Sequence, residues 1–172
     1  VSSGSSHGLK IIKSKKDLNI FIKELTEYKK NFDPKEKFLI EMFIQGIELT
    51  VSVLEKNSNP TPLAVTEIIS LNSTYDYQAK YTKGFSKHFI PARISKKNYK
   101  KCLNLAVKIH KIFKCNTLSR IDFIFNKKQD KIYFLEINSQ PGMTKLSLLP
   151  EQAEYQNIEF ENIILNLINN AK

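Results

Sequence analysis

The feature of this sequence that most constrains its fold is a pair of short apolar runs that carry charged and amide side chains. The first run contains Arg120 and Asp122, and the second contains Glu136 and Asn138. The polar stretch 126–131 joins them, which predicts a β-hairpin. Residues two apart on a strand share a face, so Glu136 and Asn138 point the same way. The two runs therefore predict a polar patch on one face of a hairpin.

The pairing of the two strands decides what this patch can do. If the loop is centred on Gln129, Asp122 lies opposite Glu136 and Arg120 lies opposite Asn138. Facing carboxylates destabilise a sheet unless a cation lies between them. Two carboxylates and a carboxamide suit Mg2+ or Mn2+, and Arg120 would stabilise negative charge on a reacting group. The alternative is a solvent-facing hairpin in which Arg120 simply pairs with Asp122 or Glu136.

Composition argues against two classes of partner. The net charge of +10 raises the possibility of nucleic-acid binding, but arginine, which base readout favours, occurs only at Arg93 and Arg120. The excess charge is scattered lysine, which favours a solvated surface. No stretch approaches the roughly 20 apolar residues of a membrane span. We therefore expect neither a nucleic acid nor a membrane as the main partner.

Cysteine and histidine offer little chemistry in this chain. Cys102 and Cys115 are the two cysteines, which is too few for a disulfide framework or a zinc site. A reducing, cytoplasmic setting follows from this usage. The three histidines, His7, His88 and His110, are isolated in sequence, which favours surface or satisfied core roles over catalysis.

Hydrophobic periodicity predicts a mixture of helices and antiparallel strands, which is the α+β class. Ser14 and Ser95 are predicted N-caps. Residues 71–89 show no clear period, which indicates a functional or mobile loop, and residues 57–62 are predicted to form a turn. The predicted strands, besides the hairpin, are 8–13, 37–44, 48–54 and 63–70, and the predicted helices are 14–28, 95–113, 147–155 and 159–170.

Five motifs, in order and at similar spacing, resemble the D-alanine–D-alanine ligases of the ATP-grasp superfamily, and together they span nearly the whole chain. They are the loop Gly4–Gly8, Glu41 with Gly46–Thr50, Tyr75–Tyr81, Arg120–Phe123, and Glu136–Thr144 followed by Ser147, Leu148 and Pro150. The resemblance implies an ATP-grasp fold. It also implies an enzyme that phosphorylates one D-alanine with ATP and lets the amine of a second D-alanine attack the acyl phosphate, in peptidoglycan precursor synthesis.

The resemblance assigns a role to each group of the hairpin patch and of the loop after it. Two Mg2+ or Mn2+ ions would be held against the ATP phosphates by Asp122, Glu136 and Asn138. Arg120 and the backbone N–H of Gly142 would stabilise the tetrahedral oxyanion. The carboxylate of the second D-alanine would be bound by Ser147, Leu148 and Gly142.

A further group of residues would line the ATP site by the same resemblance: Glu41, Phe43, Ile44, Glu48 and Lys80. Lys80 would contact the transferred phosphate, while Glu41 and Glu48 would lie around the adenosine. Ser5 and Tyr81 would meet when two loops close over the intermediate and exclude water. Tyr81 resembles the dipeptide-forming members, which favours D-alanine as the second substrate.

The resemblance also implies how the chain is divided. Residues 1–45 would end the central ATP-grasp subdomain, and residues 46–172 would form the C-terminal catalytic subdomain. The chain begins at Val1 in a Ser/Gly-rich loop, and the family's N-terminal domain, which helps to hold the first D-alanine, has no counterpart. We therefore expect the C-terminal portion of a cytoplasmic ligase, homodimeric through the absent part, and inactive as an isolated 172-residue piece.

Two alternatives stay open at this point. The chain could come from another ATP-grasp carboxylate–amine ligase with a different acceptor. It could also be a non-catalytic nucleotide-binding piece that a separate N-terminal chain complements.

Overall fold

The computed structural model describes residues 10–28, 39–70, 86–144 and 146–171. Within these ranges the chain forms five strands and four helices. The strands are β1 Ile47–Lys56, β2 Asn59–Ser70, β3 Ser86–Phe89, β4 Leu118–Asn126 and β5 Lys131–Asn138. The helices are α1 Lys15–Tyr28, α2 Lys96–Ile112, α3 Leu148–Tyr155 and α4 Phe160–Asn170. The predicted α+β class is confirmed.

The five strands form one antiparallel sheet in the order β3-β2-β1-β4-β5. Alternate residues of a strand point to opposite faces, so each strand here has two distinct sides. On one side, Leu49 and Val51 of β1 and Phe123 of β4 are fully buried against Cys102 and Ala106 of α2. We call this side the core face.

Helix α2 follows from its N-cap and its apolar stripe. The Ser95 hydroxyl accepts a hydrogen bond from Asn98 N at 3.2 Å, as the sequence predicts. His110, near the end of the helix, is 1% exposed, and its two ring nitrogens are hydrogen-bonded to Ser119 Oγ at 2.7 Å and Glu55 Oε2 at 3.0 Å. The expectation of a satisfied core histidine is therefore confirmed.

The residues that the structure describes cover the opposite side of the sheet only in part. At one end of it, α3 and α4 pack an apolar cluster that includes Leu118, Leu149, Ala153 and Ile163. The β4–β5 side of this face carries the exposed Glu136. We call this side the open face.

Two predicted strands are wrong where the structure describes them. Residues 10–13 and 39–44 form neither strand nor helix, and the apolar side chains Leu39, Ile40 and Phe43 are exposed. A local apolar pattern cannot say whether a neighbouring strand exists to pair with, and none of the described strands pairs with these segments. Helix α1 is confirmed, and its predicted cap forms through Asp17 N and Ser14 Oγ at 3.1 Å.

Strands β2 and β3 also differ from expectation. The predicted turn 57–62 shrinks to Asn57 and Ser58, both at positive φ, which is the geometry of a two-residue hairpin turn. Pro60 can lie in β2 because β3 pairs with that strand only from Glu67 to Ser70. Strand β3 falls inside the predicted loop because its pairing with β2, and not its own four residues, makes it a strand.

The thiols and the helices show two further features. Cys102 and Cys115 are free, and burial raises the pKa of Cys102 to about 12, so its reactive thiolate is suppressed. No helix within the described ranges is long and apolar enough to cross a membrane. The division between residues 45 and 46 stays a prediction.

Candidate functional site

Directly paired residues form rows of side chains across the open face. One row runs through Thr66, Thr50, Asp122 and Glu136, each opposite the next on neighbouring strands. We call it the carboxylate row. The adjacent row pairs Ser52 of β1 with Arg120 of β4 and Asn138 of β5. The predicted opposition of Asp122 to Glu136, and of Arg120 to Asn138, is therefore confirmed.

A β-bulge produces this register. The pairing of β4 with β5 shifts between Asp122 and Phe123, and Leu135 is left without a partner on β4. Without the extra residue, Asp122 would face Leu135, and Glu136 would point to the core face. The sequence carries a trace of the bulge, because the core-facing apolar residues change phase between Phe134 and Ile137.

Asp122 is held by two neighbours. Thr50 Oγ1 donates to Asp122 Oδ1 at 2.6 Å, and the Arg120 guanidinium donates to both carboxylate oxygens, at 3.0 and 2.8 Å. The side chains of Arg120 and Asp122 are each only 15% exposed. The ion pair that the sequence left as an alternative is therefore present.

The ion pair does not balance the carboxylate row. Glu136 lies directly opposite Asp122, is exposed, and has no ion-pair partner within the described part of the chain. Two carboxylates with one arginine leave a net negative charge on this patch, and Asn138 adds a carboxamide. No cluster of three or more His, Cys, Asp or Glu side chains occurs in the described ranges, so a divalent cation here would rely on two carboxylates, Asn138 and further oxygens.

The chain turns away from the sheet directly after the patch. Asn138 Oδ1 accepts a hydrogen bond from Gln140 N at 2.9 Å, which starts the turn and leaves one lone pair of the oxygen. Pro141 is buried and Gly142 is exposed. Because β5 is an outer strand and α3 packs on β1 and β2, the described residues 139–144 and 146–147 cross the open face.

Gly142 and Ser147 lie against each other in this crossing. A Cβ atom at Gly142 would be 2.7 Å from Ser147 Oγ, which is too close for any residue with a side chain unless Ser147 moves. Ser147 Oγ accepts from Thr144 N at 3.1 Å and makes no capping hydrogen bond to α3, although Ser147 is the N-cap residue. Leu148 is buried, so its backbone N–H is the group that a ligand could use.

The residues expected around ATP are less closely grouped. Glu48 lies on the open face of β1, half-buried and one row from Asp122. Glu41, Phe43 and Ile44 lie in the irregular segment 39–45, and no hydrogen bond or ion pair joins them to the carboxylate row within the described ranges. The predictions for Ser5, Lys80 and Tyr81 fall outside the described residues.

Sequence reasoning missed two buried polar residues at this site. Thr50 contacts Asp122, and Gln152 is a fully buried polar residue on the packed side of α3. A polar residue among the apolar positions of α3 was the available signal for Gln152. Thr50 gave no such signal, because it stands at a polar position in the alternating pattern of β1.

The fold is the ATP-grasp fold, and two solved ligases share it. The D-alanine–D-alanine ligase of Bacillus anthracis complexed with ATP has a TM-score of 0.69 at 23% identity, covering 94% of this chain and 49% of that one. The VanG D-Ala:D-Ser ligase of Enterococcus faecalis has a TM-score of 0.60 at 30% identity, covering 74% of this chain and 36% of that one.

The chain belongs to the family described as D-ala D-ala ligase C-terminus, whose model matches residues 1–169. It is similar to the D-alanine–D-alanine ligase of Rickettsia typhi, with 41% identity over 172 residues, which covers 99% of this chain and 50% of the relative. It is also similar to that of Carboxydothermus hydrogenoformans, with 40% identity over 165 residues, covering 96% and 51%. The chain thus spans about half the length of the curated relatives it matches.

Proposed function

We propose that this chain is the C-terminal portion of an ATP-dependent ligase that joins two D-alanines, through an acyl phosphate, for peptidoglycan precursor synthesis. Family membership supports the chemistry. The observation that carries the proposal is the opposition of Asp122 and Glu136 beside Arg120, since among the described residues these two carboxylates face a single guanidinium. The residues 1–45 and 46–172 would be the end of the central subdomain and the catalytic subdomain.

The carboxylate row is suited to hold metal against ATP. Asp122, Glu136 and Asn138 would supply oxygens to two Mg2+ or Mn2+ ions, which, when bound, neutralise charge on the phosphates. A divalent cation beside Asp122 would take over the charge compensation that Arg120 provides. The Arg120 guanidinium would stabilise the tetrahedral oxyanion, together with the backbone N–H of Gly142.

The beginning of α3 is suited to hold the acceptor. Helix N-termini attract anions through unpaired N–H groups and the helix dipole, and the Ser147 side chain does not cap these groups. Ser147, the backbone of Leu148 and Gly142 would bind the carboxylate of the second D-alanine. The amine of that D-alanine would then face the acyl phosphate near Arg120 and Asp122.

The remaining roles follow from the motif order. Glu41 and Glu48 would contact adenosine with Phe43 and Ile44 beside it, and Lys80 would contact the transferred phosphate. Ser5 and Tyr81 would close over the intermediate. The complete enzyme would act in the cytoplasm on ATP and D-alanine, as a homodimer formed through its N-terminal half, without a nucleic acid or membrane partner.

A metal-site variant tests this proposal in the complete ligase. Glu136→Gln removes one exposed carboxylate without disturbing the core, and we expect it to lower the rate of D-alanine-dependent ADP release on the order of a hundredfold. Glu161→Gln on α4, also exposed, is the matched control and should keep the wild-type rate. Full activity of Glu136→Gln would contradict the proposed metal site. The isolated 172-residue chain should release no ADP.

A different acceptor is the alternative that one comparison favours, because the VanG enzyme is a D-Ala:D-Ser ligase. A panel of D-alanine, D-serine and D-lactate as acceptors, with the dipeptide or depsipeptide product identified by mass, distinguishes the two. D-Alanine should be preferred. Mixing this chain with a separately produced N-terminal half tests whether the two pieces complement each other.

A further inference from the structure

Gln152 is a fully buried polar side chain that ties α3 to the sheet. Its Oε1 accepts from Ser52 N at 2.8 Å, and its Nε2 donates to Thr50 O at 3.2 Å and to Thr66 Oγ1 at 2.9 Å. These partners lie on β1 and β2. Three directional bonds from one planar carboxamide fix both the distance and the rotation of the helix relative to the strands.

A bulge explains why the carboxamide sits there. The pairing of β1 with β2 shifts between Val51 and Val53, so Ser52 has no partner residue on β2. A buried backbone N–H needs an acceptor, and Gln152 Oε1 supplies it in place of a strand carbonyl. An apolar residue at this position of α3 would pack but would leave Ser52 N unpaired.

The same contacts lead directly to the carboxylate row. Thr50, whose carbonyl accepts from Gln152, donates its own hydroxyl to Asp122. In the other direction, Gln152 lies about one helical turn after Leu148, at the start of α3. The Gln152 side chain therefore links two parts of the site. One is the start of α3, which would hold the acceptor, and the other is β1, whose Thr50 bonds Asp122.

We propose that Gln152 is a positioning residue that sets the distance between the acceptor D-alanine and the acyl phosphate. This inference rests on the proposed function. Gln152 touches no substrate; it acts through α3 and β1. Because small misplacements of reacting groups cost much of the rate, loosening α3 slows attack by the acceptor amine while leaving acyl-phosphate formation intact.

Trapping with hydroxylamine separates the two steps. Hydroxylamine attacks the acyl phosphate, forming D-alanine hydroxamate and releasing phosphate, and as a small nucleophile without a carboxylate it needs no site at α3. In the complete ligase, with ATP, Mg2+, D-alanine and hydroxylamine, Gln152→Met keeps the volume but removes the hydrogen bonds. We expect dipeptide formation to fall roughly 10- to 100-fold, with hydroxamate formation unchanged.

Two further variants sharpen the test. Gln152→Glu retains the acceptor for Ser52 N and should recover part of the dipeptide rate, and it decides the question if Gln152→Met does not fold. Ala153→Gly, at the next buried position, lowers the stability of α3 but keeps the three carboxamide hydrogen bonds that fix the helix to the sheet, so it should leave the ratio of dipeptide to hydroxamate at the wild-type value.

The possible failures can be told apart. If the wild-type protein forms neither product, the proposed function is wrong and the inference falls with it. If the wild type forms both and the Gln152 variants keep its product ratio, the inference alone is wrong. Equal losses of both products in Gln152→Met and in Gln152→Glu, or a shifted ratio in Ala153→Gly, would reduce Gln152 to a stabilising residue and also overturn it.

Discussion

Neighbouring residues of β1 are equally buried on the two faces of the sheet but by different means. Val51 packs into the core face through non-directional apolar contacts, whereas Thr50 is buried on the open face through hydrogen bonds to Asp122 and Gln152. Ser52 Oγ, on the same polar side, is buried without a hydrogen-bond partner in the described structure. The open face is thus held in large part by directional hydrogen bonds, as expected where polar side chains are buried.

The two arginine–carboxylate pairs show the same contrast. On the core face, Glu67 accepts from the backbone and guanidinium of Arg93, which also stacks over Phe89 at 3.7 Å, and these bonds lower the pKa of Glu67. The Glu67 carboxylate and the Arg93 guanidinium therefore balance each other's charge. On the open face, Arg120 pairs with Asp122 while a second carboxylate, Glu136, lies opposite, so among the described residues the two carboxylates of this patch outnumber its guanidinium.

The largest expected effect is on the core face. Phe123→Ala removes a fully buried ring, and we expect the free energy of unfolding to fall by about 3–5 kcal/mol in urea denaturation. Phe134→Ala is the control, since Phe134 is 42% exposed and meets Phe123 only at the edge of its ring. Equal losses would mean that the depth at which a ring is buried on the core face does not set its contribution to stability.

Alanine substitutions at the two close-packed glycines, Gly46 and Gly142, should affect stability and activity to different extents. A Cβ at Gly46 would lie 2.5 Å from Phe125 O, a backbone atom, so Gly46→Ala should cost roughly 1–3 kcal/mol of unfolding free energy. At Gly142 the obstacle is the Ser147 side chain, which can rotate. Gly142→Ala should therefore cost less stability in urea denaturation but lower ADP release. A larger stability loss at Gly142 than at Gly46 would contradict this reading.

A reciprocal exchange on β1 tests the faces directly. Thr50→Val removes the hydroxyl bonded to Asp122, and Val51→Thr buries an unpaired hydroxyl on the core face; each should cost about 1–3 kcal/mol in urea denaturation. Titration with Mn2+, followed by electron paramagnetic resonance, should show weaker binding for Thr50→Val alone. Equal weakening in both variants would remove the link between Thr50 and the metal site.

The smallest expected effect is a pH dependence at Glu67. The pKa of Glu67 is lowered from its ordinary value of 4.5 in the folded protein, first by the hydrogen bonds from Arg93. The stabilisation that the ionised Glu67 gives the folded state is therefore complete above pH 4.5, and it is lost as the pH falls through the folded pKa. Glu67→Gln should lower Tm at neutral pH and flatten the fall of Tm in acid. Scanning calorimetry from pH 7 to about pH 3 measures this. Glu161→Gln should keep the wild-type curve; identical curves for all three would exclude a role for the pair.

Sequence patterns correctly predicted the helices and strands that are determined by residues close to one another in the chain. Ser95 and the apolar residues after it predicted α2, and the two apolar runs joined by the polar stretch 126–131 predicted the hairpin. Strand β3 was missed because four residues carry too little pattern. The apolar segment 39–44 was misread as a strand because pairing depends on a neighbour that the local sequence does not contain.

The sequence by itself determined which side chains share a face, where helices begin, and which motif chemistry the chain carries. Only the tertiary structure decided that Arg120 pairs with Asp122, that the bulge at Leu135 turns Glu136 toward it, and that Gln152 bonds Thr50 across 102 positions. The reason is physical. Periodicity and capping act over a few residues, whereas the balance of charge and of buried hydrogen bonds depends on which distant strands and helices meet.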